Sequence, residues 1–487
     1  MNFAGCWTCY HYLRNNSAMS QEYQENLSYD PIHGYIAFTA DAAEGELSER
    51  DIIDHPWVQR LRQIHQLQTA WWVFPSAEHT RFQHVLGVMH LASRVIEQLY
   101  DSLKSSCQAS GEEIPSRGYV ESLLRMAGLL HDVGHGPFGH FFDEHFLSRH
   151  ELNHEILGAR IIRDELGPLL QLVRRNPNSS LADDETLDPD QIAWVICRPK
   201  GEQDAKGRPR WLTLIRSLLS GIYTIDNLDF VLRDAYMSGY SQRAFDLERL
   251  LHYSFFTDRG LTIHDRGIEA LIRFMSARAE LFRTIYFHRT VRAIDLTLAD
   301  LFVESRNYFF PESPLEQLQA YQQFTESSLL VDVARWDQSS DATQRELGLR
   351  WRKLLRREID WQMVCQRSLV FDEQSTESSS VFNRPEWVEQ SVRRELPAAF
   401  QDVPLRIDIA RHIYRPHTSG PAKRQNFLYD SARDEVRPLN DNELFRHLPV
   451  SHRICRVYAQ AAELAPVVAQ AIDRLLGRHV VDDVTNM

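Results

Sequence analysis

Residues 129–145 read LLHDVGHGPFGHFFDEH. Four histidines and three acids fall within fifteen residues, directly after an apolar helical pattern. Imidazole and carboxylate are the side chains that ligate metals and move protons near neutral pH. A single buried histidine is more often a satisfied core residue than a ligand. His131 and Asp132, however, stand together at a helix end, beside the Gly-rich break GHGPFG. Neighbouring helical positions point about 100° apart, so both can reach one ion only if other helices close the sphere. Two more ligand types stand at helical positions, His84 in RFQHVLGV and Asp226 in YTIDNLDF. Two imidazoles and two carboxylates with no thiolate make a mixed N/O set. It suits Mn, Fe, Co, Ni or Zn with positions left open for water or phosphate, rather than a closed structural zinc.

Helices must carry these residues. IIDHPWVQRLRQIHQL places Trp57, Leu61, Ile64 and Leu67 at helical spacing, with Pro56 in the first turn. WWVFPSAEH is too short and Pro-broken for a helix and reads as a connector. RFQHVLGVMHLASRVIEQLY and VESLLRMAGLLHD read as helices, the second ended by the glycines and proline of GHGPFG. NHEILGARIIRDEL and WLTLIRSLLSGIYTIDNLDFVLRDAY add two more helices, and a long helical stretch over 268–302 follows. DQSSDATQ (337–344) and DEQSTESSS (372–380) read as polar linkers, and LRWRKLLRREIDW between them as a basic amphipathic helix. PLRIDIARHIY, QNFLYD and RICRVYA alternate like strands. The predicted fold is mainly α, with a smaller α+β C-terminal lobe. Its divisions are a disordered leader over 1–26, a helical body over 27–330 and a C-terminal lobe over 331–487. The leader carries an isolated Cys6–Cys9 CxxC without a partner pair, and Met19 is a candidate start within it.

At 487 residues, 43% apolar and 25% charged, the composition is that of an ordinary globular protein too long for one simple core. No run approaches eighteen apolar residues, so no transmembrane span is expected. Six cysteines and no export signal point to a reducing cytoplasm. The net charge of −13 disfavours generic nucleic-acid binding while leaving room for a local basic pocket around a polyphosphate.

The ordered set of an arginine three residues before a histidine, then HD, then D, resembles the HD-domain phosphohydrolases. DPIHGYI, WVQRLRQIHQL, VFPSAEHTRFQHVLGV, AGLLHDVGHGPFGHFFD, NHE and IDNLDFVLRD are similar, across about residues 27–300, to the dNTP triphosphohydrolase branch. The resemblance implies an HD fold, one divalent transition metal held by His84, His131, Asp132 and Asp226, and magnesium with the substrate phosphates. It implies phosphate contacts from Arg81, His135 and His154. His140, oriented by Asp143, would protonate the leaving 5′-oxygen after water attack at the α-phosphorus. It places Gln66, Leu67 and Tyr286 around a 2′-deoxy sugar, Asp234 on the 3′-hydroxyl and Arg278 on phosphate. A guanine-nucleotide or dNTP activator would bind Asp54, Gln59 and Arg62, and the assembly would be a homodimer or homotetramer. His145 and His150 have no match and read as surface residues, and His79 flanks the region.

Departures from the branch's pattern matter as much. Where it has Lys-Trp-Asp-Tyr after the last metal ligand, this chain has Asn227, Leu228, Asp229 and Phe230. Phe282 and Phe287 replace polar neighbours of the tyrosine. The expected pocket is therefore greasier and less cationic. This keeps two alternatives open: a phosphohydrolase acting on another nucleotide or oligonucleotide, and a nucleotide-sensing or nucleic-acid-binding module with little turnover.

Overall fold

The chain's described part begins with a hairpin, β1 (Glu25–Asp30) and β2 (Gly34–Thr39), paired antiparallel. The computed structural model describes residues 25–197, 202–310, 312–371, 382, 384–413 and 426–476. Cys6, Cys9, most of the expected leader and the expected linker at 372–380 lie outside them.

Helix α1 (Arg81–Gln108) starts at Thr80, whose backbone N–H donates to Gln83 Oε1 at 2.6 Å in a capping box. Helix α2 (Arg117–Leu130) is capped by Ser116 and is buried almost all round, which makes it the central helix. Around these lie α3 (His140–His145), α4 (His154–Ile161) and α5 (Ile225–Met237). A second hairpin, β3 (Ser254–Thr257) and β4 (Gly260–His264), leads to α6 (Ile268–Leu281) and α7 (Arg289–Phe309). Helices α8 (Glu326–Val333) and α9 (Ala342–Leu355) pack on the same body, with Trp351 of α9 fully buried.

The C-terminal lobe contains β5 (Gln362–Phe371), α10 (Pro385–Glu395), β6 (Leu405–Ile413), β9 (Ser451–Ala459) and α11 (Ala465–Leu476). Its sheet runs β5-β9-β6, all antiparallel, and packs Val457 and Leu405 against Val388 and Ile472 in a core of its own. Strands β7 (Asn426–Asp430) and β8 (Glu435–Pro438) instead join the first body: β7 pairs in parallel with β4. Leu428, Leu439 and Phe445 belong to the main core with Val85 and Leu124. The architecture is mainly α with a smaller α+β lobe. No helix among the described residues is long and apolar enough to cross a membrane.

Two helices predicted from periodicity are interrupted. The one over 57–67 is a short α turn, Pro56–Gln59, then a 3-10 turn, Arg60–Gln63. Arg60 is drawn into the core there to serve five carbonyls, a tertiary demand that overrides local propensity. The stretch over 268–302 widens into a π turn at Phe282–Tyr286 and restarts at α7, where His288 caps by accepting from Thr290 N at 3.3 Å. π turns of this kind mark functional sites.

Candidate active site

Three helices bring His84, His131 and Asp226 together. His84 lies in the first turn of α1, His131 caps the end of α2, and Asp226 lies in the first turn of α5. Their ligand atoms all lie within 4.8 Å of one another. His84 Nε2 is 3.1 Å and His131 Nε2 3.7 Å from Asp226 Oδ1. Both histidines commit their other nitrogen elsewhere: His131 Nδ1 donates to Gly128 O at 2.8 Å, and His84 Nδ1 to Asp229 Oδ2 at 2.7 Å. The Nε2 atoms therefore face the cluster, and that of His131 is buried without a hydrogen bond. Convergent Nε2 atoms, an orphaned buried nitrogen and a carboxylate are what a divalent transition ion requires, so the residues fit one.

Asp132 stands beside this triad, Oδ1 at 3.4 Å from His131 Nε2, while its Oδ2 accepts from Arg81 Nη1 at 2.5 Å. Burial raises the pKa of Asp132, but Arg81, His131 and His135 outweigh it and hold the group well below the usual range. Burial lowers His84, but Asp226 and Asp229 outweigh it and push it up to about 10.

His135, His140, Asp143 and His154 form a second group, again with ligand atoms within 4.8 Å. The rings of His135 and His154 stack at 3.8 Å and 14°. His135 is fully buried with neither ring nitrogen hydrogen-bonded. Burial, then Arg81 and His154, keeps it far below its ordinary pKa and neutral. Asp143 takes its short hydrogen bond from His154 Nδ1, whereas His140 Nδ1 lies 3.5 Å away.

The loop between α2 and α3 is strained to present these groups. Phe138 has φ +62° and Gly139 φ +58°. A Cβ at Gly139 would come within 2.3 Å of Arg81 Nη2. Arg60 Nη1 holds the loop by donating to His135 O at 2.6 Å, and Glu326 accepts from Phe138 N at 3.2 Å. Neither residue stood out in the sequence as part of the site.

Arg81, His84, His131, Asp132, His140, His154 and Asp226 line a cavity of about 350 Å³. Gln66, Leu67, Asp234 and Tyr286 line it too, with Tyr286 OH donating to Asp234 Oδ2 and His79 Nε2 bound to Asp234 Oδ1 at 2.8 Å. His79 is thus a buried partner of the site. Phe230, Phe282 and Phe287 form the apolar wall expected from the departures, and Gln68, Arg292 and Asp295 add polar groups that the sequence did not single out. Arg278 is not among the lining residues; its guanidinium lies 6.0 Å from the Phe282 ring. Asp54, Gln59 and Arg62 do not line the cavity either. Gln59 bonds to Ile53 O and Arg62, and Arg62 stacks 3.6 Å over Phe82.

Residues 81–206 match the HD domain family model. The chain is 26% identical over 464 residues to the deoxynucleoside triphosphate triphosphohydrolase SAMHD1 of Bos taurus, covering 89% of this chain and 75% of that one. It is 25% identical over 474 residues to the Homo sapiens protein of the same name, covering 89% and 70%. An uncharacterized protein of Bacillus subtilis, YwfO, is 26% identical over 343 residues, covering 67% and 70%. A hypothetical protein from Aquifex aeolicus, solved by crystallography, shares the fold at a TM-score of 0.64 and 22% identity, covering 92% of this chain and all of that one. Residues 81–206 thus carry an HD domain, and the chain is similar over most of its length to deoxynucleoside triphosphate triphosphohydrolases.

Proposed function

We propose that the chain hydrolyses deoxynucleoside triphosphates to deoxynucleoside and tripolyphosphate. The observation that carries this reading is the single cavity joining the two histidine–aspartate groups to Gln66, Leu67, Asp234 and Tyr286. Its histidines and arginine suit a polyphosphate, and Gln66, Leu67, Asp234 and Tyr286 suit a sugar. His84, His131, Asp132 and Asp226 would hold one divalent transition ion, of Mn, Fe, Ni, Co or Zn, with magnesium on the substrate phosphates. Such an ion supplies charge neutralisation and a lowered pKa for water. Arg81 and His154 then lie along the phosphate chain, where fixed donors stabilise charge on the transferring group, and His135 backs His154 through their stacked rings. Water attacks the α-phosphorus, the bond from that phosphorus to the 5′-oxygen breaks, and His140 delivers a proton to the departing oxygen. Asp143 serves this step through His154, which it holds by a short hydrogen bond. The Tyr286–Asp234 pair offers a polar grip on the 3′-hydroxyl. Asp54, Gln59 and Arg62 make a candidate contact for a nucleotide activator, and the active form is a homodimer or homotetramer.

The phenylalanine wall favours a second reading, a phosphohydrolase acting on a different phosphoester. Product analysis separates the two. Purified protein with Mn²⁺ is incubated with each dNTP, with and without GTP, and the phosphate products are resolved. Tripolyphosphate is expected; its absence with every dNTP, from protein that has bound metal, would move the assignment to the second reading.

A further inference from the structure

Asp229 is fully buried and does not line the cavity, yet both of its oxygens are saturated. Oδ2 accepts from His84 Nδ1 at 2.7 Å and Arg233 Nε at 2.8 Å. Oδ1 accepts from Arg233 Nη2 at 2.9 Å and from His33 Nε2 at 2.6 Å. His33 lies in the turn between β1 and β2, 196 positions earlier in the chain. Asp30 pins that turn: its Oδ1 accepts from the N–H groups of Ile32 and His33 at 2.9 and 3.0 Å. Its Oδ2 accepts from Arg233 Nη1 at 2.8 Å. The N-terminal hairpin is therefore tied to the acid that holds His84 directly through His33 and indirectly through the Asp30–Arg233 pair.

We infer that Asp229 and His33 are positioning residues for the metal centre, with the N-terminal hairpin as its outer support. This rests on the reading of His84 as a ligand. A histidine ligand presents one nitrogen well only when the other is held by a partner that fixes tautomer and ring plane. Asp229 is that partner. A carboxylate with four donors cannot swing without losing bonds. His33 supplies one of the four and comes from an element that touches no part of the cavity. Removing it leaves Oδ1 with Arg233 alone, so the carboxylate regains freedom while the fold keeps its Arg233 bonds.

The test is Mn²⁺ affinity of the full chain by calorimetry, alongside the melting temperature of metal-free protein. Loss of an outer partner of a ligand costs roughly 10–100-fold in affinity. Asp229→Asn is expected to fall in that range and His33→Ala near its lower, roughly tenfold end. His33→Gln restores an N–H donor and should recover most of the affinity, which a merely structural role would not explain. Tyr29→Ser, on the exposed face of the same hairpin, should leave it unchanged. If Asp229→Asn fails to fold, the two His33 variants decide. His33→Ala binding Mn²⁺ as tightly as wild type, while His131→Ala does not bind, would overturn the positioning role alone. His131→Ala also binding normally would remove the ligand reading, and this inference with it.

Discussion

His140 differs from its neighbours in exposure: its side chain is 65% exposed, that of His154 12%, and that of His135 is fully buried. The group assigned to proton delivery is the one open to solvent. His140→Ala should keep its metal and lose turnover by about 10²–10⁴-fold, measured by single-turnover assays beside metal analysis. His131→Ala and Asp226→Ala should lose metal and activity together, and full occupancy in either would remove the ligand scheme. Asp143 and Asp229 also set the response to acid. Burial raises both, but His140 and His154 outweigh it at Asp143, and Arg233, His33 and His84 at Asp229, so both are depressed. A depressed carboxylate contributes stability above its unfolded pKa of about 3.9 and loses it as pH falls toward the folded value. Urea midpoints of metal-free protein should therefore hold from neutrality to about pH 5 and drop below about pH 4. The ordered HD pattern made His84, His131 and Asp226 legible in the sequence. His33, Arg60 and His79 were not, because their meaning depends on partners far along the chain that only the fold supplies.

The helices that carry the site approach one another closely. Between α1 and α5 a Cβ at Gly87 would come within 1.9 Å of Asp229 Oδ1. Gly87→Ala should force those helices apart, destabilise the protein by about 1–3 kcal/mol and weaken Mn²⁺ binding, read by thermal melting and calorimetry. Helices α1 and α2 were legible from their apolar periodicity, whereas the break between Arg216 and Ile225 that gives α5 its own start was not. The 3-10 turn at Arg60–Gln63 and the π turn at Phe282–Tyr286 were not, since the residues there are competent helix formers and tertiary contacts decide their geometry.

Across the whole molecule, the cavity wall and the C-terminal lobe share one charge cluster. Arg292 of α7 lines the cavity and donates to Asp408 of β6 at 2.6 Å and to Asp295 at 3.2 Å. Breaking a largely buried pair of this kind costs about 3 kcal/mol or more. Asp408→Asn should lower the guanidinium midpoint accordingly and alter substrate KM more than metal affinity. The strands of the lobe could be read from their alternation. That β7 would leave its neighbours to pair in parallel with β4 could not, because strand pairing at such separation leaves no local signature. That pairing bears on how the molecule is made. Until residues near 430 leave the ribosome, β4 has a bare edge of N–H and C=O groups on an otherwise folded body. A nascent or prematurely ended chain would carry a sticky strand, and its quality control must cover the interval between the synthesis of the site and the synthesis of the strand that seals it.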